Sequence, residues 1–229
     1  GIRERLRSRG LGDVYKRQVL GTERSPIIME TKELIQEAAL DLFSRKGFDS
    51  SSVRDIAAQI GIKDSSLYFH FKSKQAILDS LMDRFIHISR QMMEGLDEGI
   101  SSITAMDDEH FYAVTEQYIQ SYFMDTFICR ILMILNHERS HNDQLREQYV
   151  YWCIEKPLDF QTAVMKRLQD IGYLKKENPR HLALEYYSPV FLFFYQYMNH
   201  VCTEKDTEQF KQAVMTAADG FLQTYRKEN

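Results

Sequence analysis

Two groups of residues in this sequence have the types and spacing needed for chemistry, and the first suggests a metal site. His137, Glu138 and His141 form an H-E-x-x-H pattern. In such a pattern two histidines one helical turn apart hold zinc, and the glutamate acts as a general base. Here the pattern lies at a predicted helix end, and Arg139 places a charge inside it. Because short motifs recur by accident, a helical-bundle metalloenzyme is the alternative function and not the favoured one.

The second group consists of the hydroxyl and aromatic side chains of residues 65–71. At about 100° per residue, Leu67 and Phe71 share one helix face and Phe69 lies on the opposite face, so an aromatic ring points outward. Such side chains suit a DNA major groove, with Phe69 on a thymine methyl group and Tyr68 on a phosphate. The alternative is that Phe69 packs on a neighbouring element and Tyr68 is an ordinary surface residue.

The elements that position this second group are short helices separated by glycines. The apolar spacing predicts a helix over 31–46 that stops at Gly47. Ser52 and Asp55 have the spacing of a capping box and open a second helix, which Gly61 ends. Asp64 is predicted to cap a third helix, and Ser73 a long fourth one. A short helix, a glycine-containing turn and another short helix match the helix-turn-helix unit.

The composition agrees with an all-α fold. Among 229 residues only ten are Gly and four are Pro, and 44% are hydrophobic. Beyond the fourth helix, apolar stripes predict helices near 106–124, 125–138, 142–171, 179–200 and 205–226. Breaks are expected at Gly99–Thr104, Ser140–Asp143, Gly172 and Pro179. Cys129, Cys153 and Cys202 are far apart and form no C-x-x-C pair, which favours a reducing cytoplasm and no cofactor held by cysteines.

Charge is distributed unevenly along the chain. The formal net charge is −4, with +4 in residues 1–29, 0 in residues 30–75 and −8 in residues 76–229. A wholly basic nucleic-acid protein is therefore excluded, while a neutral module on an acidic body stays open.

Two further segments bear on the chain's organisation. Residues 1–28 show no amphipathic period or signal-peptide core, so we interpret them as a cloning remnant, a misplaced start or a flexible basic arm, with Met29 as the native start. The uncharged run Tyr186–Thr203 contains polar groups such as Gln196 and Asn199, which argues against a membrane span.

Several motifs in order resemble the DNA-binding domain of the TetR family of bacterial transcriptional regulators. They are Ala38-Ala39-Leu40-Asp41-Leu42-Phe43 with Lys46-Gly47-Phe48, Ser52-Val53-Arg54-Asp55-Ile56-Ala57 with Gly61-Ile62, and Ser66-Leu67-Tyr68-Phe69-His70-Phe71-Lys72-Ser73-Lys74. The resemblance covers about a fifth of the chain, and the rest agrees with the family only in length and helical character.

The resemblance implies roles for particular residues. Ser52, Tyr68, His70 and Lys74 correspond to phosphate contacts, and Lys63, Ser65, Ser66 and Phe69 to the variable positions that read bases. A buried core histidine is the alternative for His70. By the same resemblance, the helical body is expected to enclose a pocket for a small hydrophobic or aromatic effector, lined by Tyr118, Tyr122, Phe123, Phe127, Met133 and Trp152. The last two helices are expected to form a four-helix interface with a second copy through Val190, Phe194, Tyr197, Phe210, Val214 and Phe221.

The sequence therefore predicts an all-α protein with a three-helix DNA-binding domain, joined by a long helix to a ligand-binding and dimerisation domain. Its divisions are residues 1–28, a non-native or flexible segment, residues 29–75, the helix-turn-helix domain, and residues 76–229, the effector and dimer domain. The expected partners are double-stranded DNA, a second copy of the chain and an effector. We expect a cytoplasmic repressor that is neither an enzyme nor bound to a membrane.

Overall fold

The structure is a computed structural model that describes residues 30–198 and 204–228. The predictions for residues 1–28, Met29 and Cys202 lie outside the described residues. The first four helices, α1–α4, span Thr31–Lys46, Val53–Gln59, Asp64–His70 and Lys74–Ser102. The later helices, α5–α10, span Asp108–Tyr118, Thr126–Glu138, Asp143–Val150, Lys156–Asp170, Pro179–Met198 and Glu204–Tyr225. Below, "head" means α1–α3 and "body" means α5–α10.

The head is built on the apolar stripe of α1. Ile35, Ala39 and Phe43 recur at helical spacing and are fully buried. Ala38 and Leu42 on the same helix are buried as well, whereas Leu34 remains 38% exposed. Helix α4 packs against α1, and the Gln36 side chain donates to the Ser80 hydroxyl at 3.0 Å. The boundary placed by sequence between residues 75 and 76 therefore falls within a continuous helix.

The ends of the short helices follow from capping chemistry, with one correction. The Ser52 hydroxyl accepts from the Asp55 N–H at 3.1 Å, and the Asp55 carboxylate accepts from the Ser52 N–H at 2.9 Å. This confirms the predicted capping box. Asp64, however, is not a cap, because α3 begins at Asp64 and residue 63 precedes it as the N-cap. The Asp64 carboxylate instead lies in the first helical turn, where the helix dipole favours a negative charge.

The body follows the predicted stripes, except at two points where the helix widens. Helix α4 continues through Gly99 and ends at Ser102, within the break expected at Gly99–Thr104; an interior glycine costs a helix only about 1 kcal/mol. The stripes over 106–124 and 142–171 each contain a π-helical turn, over Ile119–Phe123 and Tyr151–Glu155. Such turns commonly mark functional sites.

The two π-turns are joined through a tyrosine. The Tyr122 hydroxyl, in the first π-turn, donates to the Trp152 carbonyl in the second at 3.2 Å. The Tyr187 hydroxyl on α9 donates to the neighbouring Cys153 carbonyl at 2.8 Å. A buried carbonyl without a partner is costly, so these two hydroxyls stabilise the widened helix.

Within residues 30–198 and 204–228, no single helix is long and apolar enough to cross a membrane. One bent pair, 108–123 with 126–138, passes the same length and composition test, with a 64° bend at its break.

We expect Ser52→Ala to lower the free energy of unfolding by about 1 kcal/mol, because it removes the hydroxyl that caps α2. Chemical denaturation would measure the change. Ser66→Ala is the matched control, since Ser66 is exposed on α3 and alanine is the better helix former. An equal loss in both variants would show that the cap contributes nothing.

Candidate nucleic-acid interface

Helix α3 displays aromatic rings to solvent. Phe69 is 87% exposed and Tyr68 is 53% exposed, whereas the side chain of Leu67 on the opposite face of the helix is fully buried. Ser65 and Ser66 are also exposed. The predicted outward aromatic is therefore present, and the alternative that Phe69 packs on a neighbouring element is wrong within the described residues. The adjacent exposed rings of Tyr68 and Phe69 form an aromatic patch, and such a patch is a candidate interaction surface.

His70 lies beside this surface. Its side chain is exposed, so the alternative of a buried core histidine is wrong. Its ring meets Phe69 edge-on with 5.5 Å between ring centroids. Phe71, next along the chain, turns inward and is 6% exposed. At the end of α3, the rings of Phe69 and His70 therefore face solvent, whereas the ring of Phe71 is buried in the core.

The Ser52 hydroxyl is engaged by the helix cap. Its Oγ donates to the Asp55 carboxylate at 2.6 Å, which commits the only hydroxyl proton. The hydrogen bonds from Ser52 also lower the pKa of Asp55 below its ordinary value. Ser52 is exposed, but toward a phosphate it offers no free proton in this arrangement. Its phosphate role stays a prediction.

Lys74 has a structural role that sequence reasoning missed. Its ammonium donates to the Phe48 carbonyl at 2.6 Å and to the Ser51 carbonyl at 2.8 Å. It also lies 4.1 Å from the centroid of the Phe48 ring, a cation–π contact. An ammonium has three protons, so one is left for a phosphate. No spacing rule links residue 74 to residues 48 and 51, and only the fold brings them together.

Few cations are available beside α3. Lys63 and Lys72 are exposed. Arg54 is 85% exposed and lies 3.5 Å from the Asp64 carboxylate. Contact with DNA phosphates would therefore depend on a small number of placed charges and not on a broad basic face.

Three of the six predicted effector residues belong to a packed aromatic group in the body. Tyr118 stacks on Tyr122 at 6.2 Å and on Phe160 at 5.8 Å, and Phe123 meets Phe194 at 4.6 Å. Trp152 is buried as well, and Phe127 and Met133 are half-buried. The structure brings Tyr118, Tyr122 and Phe123 into contact, while the Phe127 ring stacks with the Arg84 guanidinium at 4.1 Å.

The residues predicted to face a second copy lie in the core of the chain itself. All six are at most 9% exposed without a partner chain: Val190, Phe194, Tyr197, Phe210, Val214 and Phe221. Helices α9 and α10 use this face to pack on each other and on α5 and α8, so little of these side chains is left for a second copy, and their interface role stays a prediction. The apolar side chains that α9 presents to solvent are instead Leu184, 44% exposed, and Leu192, 53% exposed.

The H-E-x-x-H pattern does not form a metal site. Helix α6 ends at Glu138, so His141 lies past the helix and the two histidines do not share a helical face. Both histidines are exposed, whereas Glu138 is buried and accepts the Phe48 N–H at 2.8 Å. Among residues 30–198 and 204–228 there is no group of three or more side chains suited to hold a metal.

Comparison with known sequences points to one family. The family model of the bacterial regulatory proteins, tetR family, matches residues 35–81. The chain is 36% identical over 72 residues to YerO, an HTH-type transcriptional regulator of Bacillus subtilis, covering 31% of this chain and 25% of YerO. It is 35% identical over 95 residues to IcaR of Staphylococcus aureus, the negative transcriptional regulator of the biofilm operon icaADBC, covering 40% of this chain and 51% of IcaR. The matched parts are thus about a quarter and about half of these relatives.

Comparison with solved structures extends the similarity over the body. The fold matches SmeT in its triclosan complex with a TM-score of 0.63 and 22% identity, covering 87% of this chain and 93% of that one. SmeT is the repressor of a Stenotrophomonas maltophilia multidrug efflux pump. At this identity the match shows a shared fold of head and body.

We expect Lys74→Met to lower the free energy of unfolding by about 2 kcal/mol, because it removes two hydrogen bonds from a charged donor. Urea denaturation would measure it. Lys72→Met removes the same charge from an exposed neighbour and should leave the unfolding free energy within about 0.5 kcal/mol of the parent. Equal stabilities of the two variants would contradict the structural role of Lys74.

Proposed function

Because this chain belongs to the TetR family of bacterial regulatory proteins, we propose that it is a dimeric repressor that binds a palindromic operator and releases it when an effector enters the body. The observation that carries the proposal is the exposure of Phe69 and Tyr68 on α3, a surface that DNA would cover. IcaR is a negative regulator and SmeT is a repressor, which supports repression rather than activation of transcription. We place its action in the bacterial cytoplasm, where the operator lies.

In this proposal α3 is the recognition helix and enters the major groove. Phe69 contacts a thymine methyl group, and Lys63, Ser65 and Ser66 meet other base edges. Tyr68, His70 and the remaining Lys74 proton bind phosphates. Ser52, the N-cap of α2, places the start of that helix close to the DNA backbone. A seven-residue helix reads few base pairs, so two copies about 34–36 Å apart are needed for a specific site.

The second copy is proposed to cover the outward face of α9 and α10. On α9, Leu184, Ser188 and Leu192 are exposed at spacings of four residues, which places them on one face. On α10, Ala213 is half-buried and Gly220 is exposed, and small residues allow a partner helix to approach closely. This set replaces the buried residues that the sequence suggested, while the same two helices keep their proposed role.

The effector is proposed to be a small hydrophobic or aromatic molecule that enters among the aromatic rings of the body. The Tyr118 hydroxyl is buried and makes no hydrogen bond of standard length within the described residues, with the Gln161 side chain as a nearby polar group. Burial raises the pKa of Tyr118 above its ordinary value, so the hydroxyl stays protonated and is available as a donor. A neutral ligand with one hydrogen-bond acceptor fits this surrounding.

We expect the full-length protein to bind DNA that flanks its own gene, measured by fluorescence anisotropy against an unrelated duplex at the same salt concentration. Tyr68→Phe should weaken binding to both duplexes about equally, because it removes a hydroxyl that donates a hydrogen bond to a DNA phosphate. Phe69→Ala should lower the affinity for the duplex from its own gene about tenfold and leave the affinity for the unrelated duplex unchanged. If neither variant changes binding, the docking of α3 is wrong. Adding triclosan as an aromatic probe tests release in the same assay.

We expect the protein to elute at about twice its 27.1 kDa chain mass in size-exclusion chromatography with light scattering. Leu192→Glu should convert it to a monomer, because it places a charge in the proposed interface. Val114→Glu is the matched control, since Val114 is also 53% exposed but lies on α5. If the Leu192→Glu variant still elutes as a dimer, the interface does not include this face of α9.

A further inference from the structure

The Glu138 carboxylate, at the end of α6 in the body, accepts a hydrogen bond from the backbone of the head. Its Oε1 accepts the Phe48 N–H at 2.8 Å, across 90 positions of sequence. The side chain is only 8% exposed. A carboxylate is buried at low cost only where hydrogen bonds replace its water, so this contact has an energetic reason to persist.

The turn after α1 is shaped to admit this carboxylate. Gly47 has φ +85°, a left-handed conformation that favours glycine. A Cβ at this position would lie 3.3 Å from the Glu138 Oε1, which is closer than side chains normally approach. Gly47 therefore ends α1 and also leaves room for an acceptor that comes from the body.

Phe48 is bound from its other side by the helix that follows α3. The Lys74 ammonium donates to the Phe48 carbonyl and lies over its ring, and Lys74 is the first residue of α4. The Phe48 ring in turn packs edge-on against Phe43 of α1 at 5.1 Å. One residue thus joins the end of α6, the end of α1 and the start of α4.

We propose that Glu138 is a positioning residue for DNA binding, which holds the head at a fixed place on the body through the Phe48 N–H. The inference rests on the proposed function for its DNA readout. Because a palindrome is read only when both recognition helices keep their spacing, loosening this contact lowers affinity for the operator. Binding to unrelated DNA depends on phosphate charge and is much less sensitive to that spacing.

Two substitutions of Glu138 separate the acceptor from the charge. Glu138→Gln removes the charge and keeps an oxygen that accepts the Phe48 N–H. Glu138→Met removes the same charge, has a similar length and offers no comparable acceptor. Glu138→Ala replaces the Met variant if circular dichroism shows that the Met variant does not fold.

A third variant controls for the general loss of a contact between α6 and α1. The Arg130 guanidinium of α6 meets the Glu37 carboxylate of α1 at 2.7 Å, and both side chains are partly exposed. Arg130→Met breaks this second contact between the same two helices without touching Phe48. Partly exposed ion pairs contribute little, so this variant should behave like the parent.

The experiment measures amide hydrogen exchange by mass spectrometry in the free full-length protein, and anisotropy with the promoter duplex and an unrelated duplex. For Glu138→Met we expect at least tenfold faster exchange in peptides that cover residues 44–52, and about tenfold weaker promoter binding. Binding to the unrelated duplex should stay within twofold. Glu138→Gln and Arg130→Met should stay within about threefold of the parent in every measurement.

Other outcomes overturn the inference or the proposed function separately. Unchanged exchange in Glu138→Met would show that the contact does not hold the turn. Faster exchange with unchanged promoter binding would show that the contact does not position the head. If the parent binds no DNA, the proposed function fails together with the DNA-binding part of the inference. Exchange in α2 and α3 then decides the remaining part: faster exchange in Glu138→Met shows that Glu138 holds the head, and unchanged exchange overturns this as well.

Discussion

Helix α3 buries a single side chain of its own, Leu67, within seven residues, and the proposed contacts with DNA depend on holding so small a helix in place. A helix of this length is not stable alone in water. Its outward rings cannot contribute to folding, because Phe69 and Tyr68 face solvent. The position of α3 is therefore set by what precedes and follows it: the capped start of α2, the buried Phe71 and the first turn of α4.

The contacts that hold α3 converge on backbone groups. Lys74 binds two carbonyls of the loop between α1 and α2, and Glu138 binds an N–H of the same loop. Side chains of opposite charge thus fix a loop whose own peptide groups would otherwise need water. The exposed side chains of α3 make little contact with the core, so the residues proposed to face DNA can vary without loss of the fold. The same loop receives a contact from the body, which makes the head and body parts of one packed unit.

The helical architecture could be predicted well because it follows from local signals. Gly47, Ser52 and Ser73 end or begin helices through their own backbone freedom or hydroxyl groups, and each acts there as expected. The break expected at Gly99–Thr104 is present as well, although α4 passes through Gly99 and ends at Ser102, because a glycine inside a helix costs only about 1 kcal/mol. The π-turns were not predicted from the apolar spacing, and the second of them depends on hydrogen bonds from hydroxyls that other parts of the chain bring to its carbonyls.

The site could be predicted in part. The periodicity of residues 65–71 placed Phe69 outward, and the structure agrees. Interface residues could not be chosen with certainty from the pattern, because an apolar stripe indicates that a helix face is buried but does not indicate whether the same chain or a second copy buries it. Val214 and Phe194 are covered by their own chain, whereas Leu192 is left in solvent. Similarly, the H-E-x-x-H spacing drew attention to Glu138 for zinc chemistry, while its actual partner is an amide.

By itself, the sequence determined the helix ends, the inward and outward faces of α3 and the resemblance of its head to one family. These features depend on residues within a few positions of one another, where helical geometry fixes who is a neighbour. Only the tertiary structure decided that Lys74 and Glu138 meet at Phe48, that Tyr122 reaches Trp152, and which face of α9 stays uncovered. Those contacts join residues 26 to 90 positions apart, and their partners are chosen by the packing of whole helices.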